Sequence, residues 1–414
     1  MLPIFLSNSS MALSSSAPTT DSFSYHSQLD DRDVDWVKSV DMQCFLSSPQ
    51  DAETYVSQVG KDSFRLITQQ DTRLGGLCLL PMGQWFGERR VPMMGVAGVG
   101  IAPEHRGKGA AIALMQHAVR ESYERGMAIS TLYPAVQQLY AKAGYGQAGT
   151  YGKWSVATRD IEVKPRVDSA GLLMMKPIAP DLDILNTIYQ QAAPKNQGWG
   201  DRHSSIWQQK IHQDKDSPLY AYRVGSEKDP QGYLLFVQYQ EQGRGILRVV
   251  DWAACSAEAG LTLWTFLQGH RSQIDQIRWR GGLLEPMVNL LPEQTATLTD
   301  VERWMTRIVN VPLALESRGY PLAAAADLHL QVHDPLISEN SGRFVLTVKA
   351  GRGKATPGGS GDVTLSISSL ASLYTSFLTP QQLLWLGHIV GSNEGLAIAS
   401  QLFSGSSPAL IDFF

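Results

Sequence analysis

The run Val99-Gly-Ile-Ala-Pro-Glu-His-Arg106-Gly-Lys-Gly109-Ala-Ala111 joins a stretch of small apolar residues to an amphipathic helix. Upstream, Gly95-Val-Ala-Gly-Val-Gly-Ile101 reads as a strand whose glycines let another chain or a ligand approach the backbone closely. Pro103 ends it. Downstream, Gly109 to Arg125 has a helical period, with Ala111, Leu114, Met115, Ala118 and Ser122 on one face and Gln116, Arg120, Glu121 and Glu124 on the other. Gly126 is placed to stop that helix. Between strand and helix, Arg106 to Gly109 offer backbone N–H groups with little side-chain bulk. Orphan donors and the positive end of the helix dipole favour phosphate oxygens at such a point, and Arg106 and Lys108 add charge.

Two common phosphate motifs fail on this stretch. A P-loop needs a glycine five residues before the Gly107-Lys108 pair and Ser or Thr after it, where the chain has Ala102 and Gly109. A dinucleotide fingerprint starting at Gly98-Val-Gly100 needs a glycine at Pro103. The pattern Arg-x-x-Gly-x-Ala after Val-x-Ile-x-Pro instead resembles the coenzyme-A signature of the GNAT N-acetyltransferases. Ala128-Ile-Ser-Thr-Leu-Tyr-Pro134 reads as the next strand, and Val136-Gln-Gln-Leu-Tyr140-Ala-Lys-Ala-Gly144-Tyr145-Gly resembles that family's following helix and tyrosine. The resemblance implies acetyl-CoA as co-substrate, held by Val99, Gly100, Ile101, Arg106, Gly107, Lys108, Gly109, Ala110 and Ala111, in a slot where two strands splay apart.

At 414 residues the chain is long for one core, so two or three domains are expected. A net charge of −4 provides no global basic field, which argues against a nucleic-acid partner. Cys44, Cys78 and Cys255 are scattered, with neither metal spacing nor a disulfide framework; no metal is expected, and a reducing cytoplasm suits them. Residues 1–29 are rich in Ser and Thr, lack the basic start of a secretory signal, and read as a disordered extension. No apolar run is long enough for a membrane span.

The first domain is expected over 30–158, with helices at Asp33–Ser47 and Asp51–Val59 and strands at Phe64–Thr68 and Gly75–Leu80. A second α/β segment, 159–299, repeats its element order. Asp181 opens a helix, His203–Gln213 suggests another, and a hairpin turns at Gln242-Gly243. Leu261–Gly269 reads as a helix and Ile274–Trp279 as a strand, without a second Arg-x-x-Gly-x-Ala loop. The stretch 286–299 reads as linker. The third segment, 300–414, carries alternating strands near Leu328–Val332 and Phe344–Val348, a glycine-rich turn at Gly351–Gly361, and helices near Ser369–Phe377 and Gln381–Ile389.

This three-segment order resembles the Eis family (enhanced intracellular survival). The marks are the cofactor loop, Tyr140 in its Leu-Tyr-Ala-Lys-Ala-Gly-Tyr-Gly context, the Trp304–Tyr320 segment and the apolar end Ile411-Asp-Phe-Phe414. The resemblance implies an α/β (α+β) chain of tandem GNAT folds, the second degenerate, plus a C-terminal sterol-carrier-protein-like domain. It further implies a homohexamer and acetylation of primary amines on a small polyamine or aminoglycoside-like acceptor. Protein lysine as acceptor and a non-catalytic lipid-binding or scaffold role are the alternatives.

Direct transfer needs a deprotonated amine, a polarised thioester and a proton for the departing thiolate. Backbone N–H groups near Val99 and Ile101 can serve the carbonyl. By the resemblance, Tyr140 is the acid and the terminal α-carboxylate of Phe414 the base. A free α-carboxyl titrates near ~3.5, and apolar neighbours such as Phe413 and Ile411 would raise it. Trp36, Tyr55, Trp85 and Asp412 are candidate acceptor contacts. Tyr133 and Tyr145 bracket the acid; Tyr133, on a strand, reads as packing, and His105 as part of the phosphate loop or helix start. Family members active on aminoglycosides carry an acid directly before the terminal Phe, whereas this chain has Phe413; the Pro49-Gln-Asp51-Ala-Glu53 loop is another source of carboxylates.

Overall fold

Asp30 and Ser48 start the first two helices by accepting the N–H groups of Asp33 and Asp51, so α1 spans Asp31–Phe45 and α2 Pro49–Val59. The computed structural model describes residues 23–163, 172–212 and 217–414. Before α1, β1 (Ser24–His26) pairs antiparallel with β2 (Phe64–Gln69). Part of the expected extension is therefore an edge strand; residues 1–22 lie outside the described residues. β2, β3 (Thr72–Phe86) and β4 (Arg89–Ile101) form an antiparallel meander. Helix α3 (Ala110–Glu124) carries the chain to β5 (Ile129–Leu132), parallel to β4, and α4 (Gln137–Ala141) leads into β6 (Gly146–Ala157).

The second unit repeats the order. It contains β7 (Met175–Pro177), α5 (Leu182–Ala192), β8 (Gly200–Asp201), α6 (Ser204–Ile211), β9 (Tyr220–Gly225), β10 (Pro230–Glu241), β11 (Arg244–Ala254), α7 (Ala257–Gln268) and β12 (Gln276–Gly281). Asp181 caps α5, and the β10–β11 hairpin turns at Gln242-Gly243 with φ of 51° and 76°. Where α3 starts without a side-chain cap, α7 is closed by the Ser256 hydroxyl accepting the Ala259 N–H. One of its first-turn donors is thus already taken up by the protein, unlike those of α3.

The stretch read as linker ends in β13 (Thr297–Ile308), which lies antiparallel between β5 and β6. A strand from the third segment thereby completes the first unit's sheet, and the β6–β12 pairing makes one 13-stranded sheet of both units among the described residues. After β13 come α8 (Val311–Ser317), β14 (Ala326–His333), β15 (Gly342–Lys349), β16 (Arg352–Pro357), β17 (Val363–Ser366), α9 (Ile367–Tyr374), α10 (Pro380–Trp385), β18 (Ile389–Val390) and α11 (Asn393–Leu402). The expected turn at Gly351–Gly361 is mostly β16, paired with β15. The five-stranded sheet β16-β15-β14-β17-β18 packs into the same core as Met82, Phe86 and Ile308 of the large sheet. The buried Arg307, whose Nη2 donates to both Asp334 oxygens at 2.7 and 2.6 Å, ties β13 to the loop after β14. Losing one partner of such a pair costs about 3–5 kcal/mol. No described helix is long and apolar enough to cross a membrane.

Candidate active site

Strand β4 pairs with β5 only at Met93–Gly95 opposite Ile129–Thr131. Beyond Gly95 the strands diverge, leaving Val96 to Ile101 bonded on the β3 side alone. Within that free stretch Gly98 and Val99 together oppose Leu77. Gly98 has φ of 57°, a left-handed residue that forms the bulge at little steric cost. The bulge bends β4 and turns its backbone toward a cavity of about 410 Å³ lined by Val96, Ala97, Gly98, Val99, Tyr140 and the last two residues, among others.

The cofactor loop continues from β4 through a 3₁₀ turn, Pro103–His105, to α3. Gly109 (φ 90°) supplies the left-handed step before Ala110, and no side chain caps the helix. The free N–H groups of this 15-residue helix and the compact loop suit a diphosphate. The two cations are partly occupied in holding the loop. Arg106 donates to the Ile101 carbonyl at 3.1 Å and to Cys44 Sγ at 3.3 Å, and Lys108 donates to the Glu104 carbonyl at 3.2 Å. Both cationic side chains thus have protein partners, whereas no side chain caps the first backbone donors of α3. Gly109→Val, forced into a left-handed conformation that β-branched residues avoid, should weaken acetyl-CoA binding more than Lys108→Ala. Calorimetry compares the two; equal affinity of Gly109→Val and wild type would contradict this placement.

Tyr140 faces the cavity from α4, is 5% exposed, and sits edge-on to Tyr145 at 6.2 Å. Burial pushes its pKa up to about 12, so it holds its proton throughout the neutral range. Tyr145 donates or accepts a 2.7 Å hydrogen bond with Ser130 and packs beneath it.

The tail enters along β6. Ala409 bridges Thr150 and donates to the Gln197 carbonyl at 2.9 Å, and the Tyr133 hydroxyl donates to the Leu410 carbonyl. Phe413 lies 4.9 Å from the Tyr133 ring, and the Phe414 ring rests where a side chain on Gly95 would stand, 2.9 Å from that Cβ position. Tyr133 thus combines packing with a hydrogen bond that holds the tail.

Asp412 does not face the cavity. It is fully buried, accepting from Arg202 Nε at 2.9 Å and pairing with Lys210 at 2.9 Å, while Arg202 also holds Asp251 through two bonds of 2.6 and 2.9 Å. Burial would raise its pKa, but Arg202 and Lys210 outweigh that and hold it down at about 2. Two aspartates balance two cations, and Arg202 stacks over Tyr189 and Trp207 at 3.7 and 4.4 Å. The second unit therefore supplies the seat of the tail. Asp412 is a structural anchor rather than an acceptor contact, because both its oxygens are already paired.

Of the other candidates, Tyr55 lines the cavity, whereas Trp36 packs against the large core and Trp85 against the core beneath α5. Both tryptophans stand away from the cavity wall. Asp41 is the residue that motif reading missed. It projects from α1 toward the bulge, its Oδ1 3.0 Å from where a Gly98 Cβ would be, and has no hydrogen bond or ion pair among the described residues. Burial raises its pKa to about 6. The available signal was its place beside the buried face of α1, Val34, Val37 and Val40, at helical spacing from Val34 and Val37. Gln209 and His212, from the second unit, complete the wall. Among the described residues no group of three or more His, Cys, Asp or Glu could hold a metal.

Comparison with known proteins agrees with this architecture. Residues 26–148 and 198–308 each match an acetyltransferase (GNAT) domain, and 311–411 match a sterol carrier protein domain. A GCN5-related N-acetyltransferase from Anabaena variabilis has 44% identity and a TM-score of 0.91, covering 95% of this chain and 100% of that one. N-acetyltransferase Eis of Mycobacterium tuberculosis is 26% identical over 298 residues, 70% of this chain and 72% of its own length. Eis1 of Mycobacterium abscessus, at 21% identity over 95% of this chain and 100% of its own, shares the fold with a TM-score of 0.79. The GNAT domains imply acetyl-CoA as co-substrate. The chain belongs to the Eis family of GCN5-related N-acetyltransferases.

Proposed function

We propose that the enzyme transfers acetyl directly from acetyl-CoA to a primary amine of a small polyamine or aminoglycoside-like acceptor. The observation that carries this reading is that one cavity brings together the β4 bulge, the Tyr140 side chain and the chain's last residue. Backbone donors at the bulge polarise the thioester carbonyl. The amine nitrogen attacks the carbonyl carbon, the C–N bond forms and the C–S bond breaks. The amine proton passes to the α-carboxylate of Phe414, and the Tyr140 hydroxyl donates to the departing sulfur. Solvent returns the proton from carboxylate to tyrosine. A cavity of about 410 Å³ walled by α1, α2, α6 and the tail suits a small acceptor better than a protein surface. Incubation with acetyl-CoA and a panel of polyamines, aminoglycosides and a lysine peptide tests the class: mass gain on the small amines is expected, and gain confined to the peptide would overturn it.

Asp41 gives this site its attraction for cationic acceptors. Its raised pKa means that it is ionised above about pH 6 and neutral below, so the acceptor KM should rise as pH falls through 6. The same sign makes ionised Asp41 a cost to the fold at pH 7, relieved by protonation. Asp41→Asn is therefore expected to raise Tm at pH 7 while raising acceptor KM several-fold. Loss of Tm with unchanged KM would place Asp41 outside the acceptor site.

The apolar corner Leu384, Trp385, Leu386 and Val390 is exposed, with Trp385 at 86%. Such a patch favours association of copies, and a closed homohexamer is the assembly we assign. Light scattering at micromolar concentration should give six chain masses; a monomer would refute it.

A further inference from the structure

A second large cavity, about 460 Å³, opens where the β3–β4 turn meets the C-terminal domain, and it shares no lining residue with the transfer cavity. Arg318 forms part of its wall and is 1% exposed. Five arginines are buried among the described residues. Arg65, Arg202, Arg223 and Arg307 each face a carboxylate, on Glu121, Asp251, Glu227 and Asp334 respectively. Arg318 faces none. Three rings surround its guanidinium instead, with centroids at 5.1 Å for Tyr320, 5.2 Å for Tyr374 and 5.0 Å for Phe403.

The hydrogen bonds of Arg318 leave part of its fork free. Nε donates to the Gly319 carbonyl at 3.1 Å and Nη1 to the Tyr374 carbonyl, while Nη2 has no protein acceptor among the described residues. A guanidinium stays charged in a protein interior, and aromatic faces with two carbonyls offset only part of its desolvation. Burial pulls its pKa below the usual value with no acid to restore it. Arg89 and Arg352 line the same cavity, against the single carboxylate of Glu88. The charge is thus concentrated on one concave surface with an unused planar donor.

We propose that this cavity is a binding site for a small oxyanion, a phosphate or carboxylate group, received by Arg318 Nη2 with Arg89 and Arg352 at its mouth. Planar N–H donors match such oxygens bidentately. Bound there, the anion joins the start of β4 to the C-terminal domain, at the opposite end of β4 from the bulge.

The test uses the full chain saturated with acetyl-CoA, so that the α3 loop is filled, titrated with inorganic phosphate or succinate at constant ionic strength. Tm and calorimetric heat are recorded. Saturable binding of at least one anion is expected, weakened at least tenfold in Arg352→Glu and in Arg318→Met, and retained in Gly109→Val titrated without acetyl-CoA. Arg352→Glu is a surface change that keeps the test valid if Arg318→Met fails to fold. Absence of saturable binding of either anion, or equal binding by wild type and Arg352→Glu, would overturn the proposal. So would dissociation of the assembly by Arg352→Glu without any anion response, which would assign the arginines to a second copy of the chain.

Discussion

Deletion of Phe414 is expected to abolish acetyl transfer while leaving the fold and acetyl-CoA binding in place. The tail is held upstream of that residue: Ala409 on β6, Leu410 by Tyr133, and Asp412 by Arg202 and Lys210. Shortening therefore does not release it. A carboxylate on Phe413 would instead stand about 3.3–3.6 Å from its former place, outside proton-transfer geometry. A chain extended beyond Phe414 turns the carboxylate into an amide and should fail equally, through loss of the base rather than of reach. Far-UV circular dichroism and acetyl-CoA calorimetry on both variants should match wild type. Because a carboxylate base works only when ionised, the acid limb of kcat should reflect it, and Asp41→Asn should leave that limb in place while altering the limb of kcat/KM. An extended chain that acetylates amines at the wild-type rate would reduce the tail to an apolar plug.

Tyr140→Phe should lower kcat by about 10²-fold with little change in acetyl-CoA affinity, since a donor to the leaving sulfur acts mainly in the transition state. The substitution removes only the hydroxyl, and the ring keeps its edge contact with Tyr145 and its burial. Stability should hardly change. With a pKa of about 12 the hydroxyl stays protonated up to high pH, so it should not impose an alkaline limb near neutrality. Steady-state kinetics with a mass-verified amine measures this, and an unchanged kcat would make Tyr140 a packing residue.

What could be read from the sequence was mostly local. The turn into α3 follows from spacing and helix-start chemistry, although its reading as a coenzyme-A loop rested on family resemblance, and α1, α2, α5 and the Gln242-Gly243 hairpin follow from caps and periodicity. The insertion of β13 between β5 and β6 was not legible, because its partners lie more than a hundred residues away and a polar start, Thr297-Leu-Thr-Asp300, resembles a linker. The Gly351–Gly361 stretch misled for a similar reason: its glycines suggested a turn, while pairing with β15 makes much of it an edge strand. Asp412 looked available for an acceptor ammonium until Arg202, some two hundred residues upstream, was brought against it. Asp41 was within reach, as an acid beside an apolar helical stripe. Tyr140 and Phe414 rested on family resemblance, and what the structure adds is their presence in one cavity with the β4 bulge.

The central claim is direct acetyl transfer to an amine at that cavity. Its most direct measurement is single-turnover mixing of the acetyl-CoA-saturated enzyme with spermidine, following free thiol and acetylated product together by mass spectrometry. The account predicts equal, simultaneous appearance of both, with no acetylated protein accumulating and both signals lost in the chain shortened by Phe414. Product formation through an acetylated side chain, or an unimpaired turnover by the shortened chain, would contradict it.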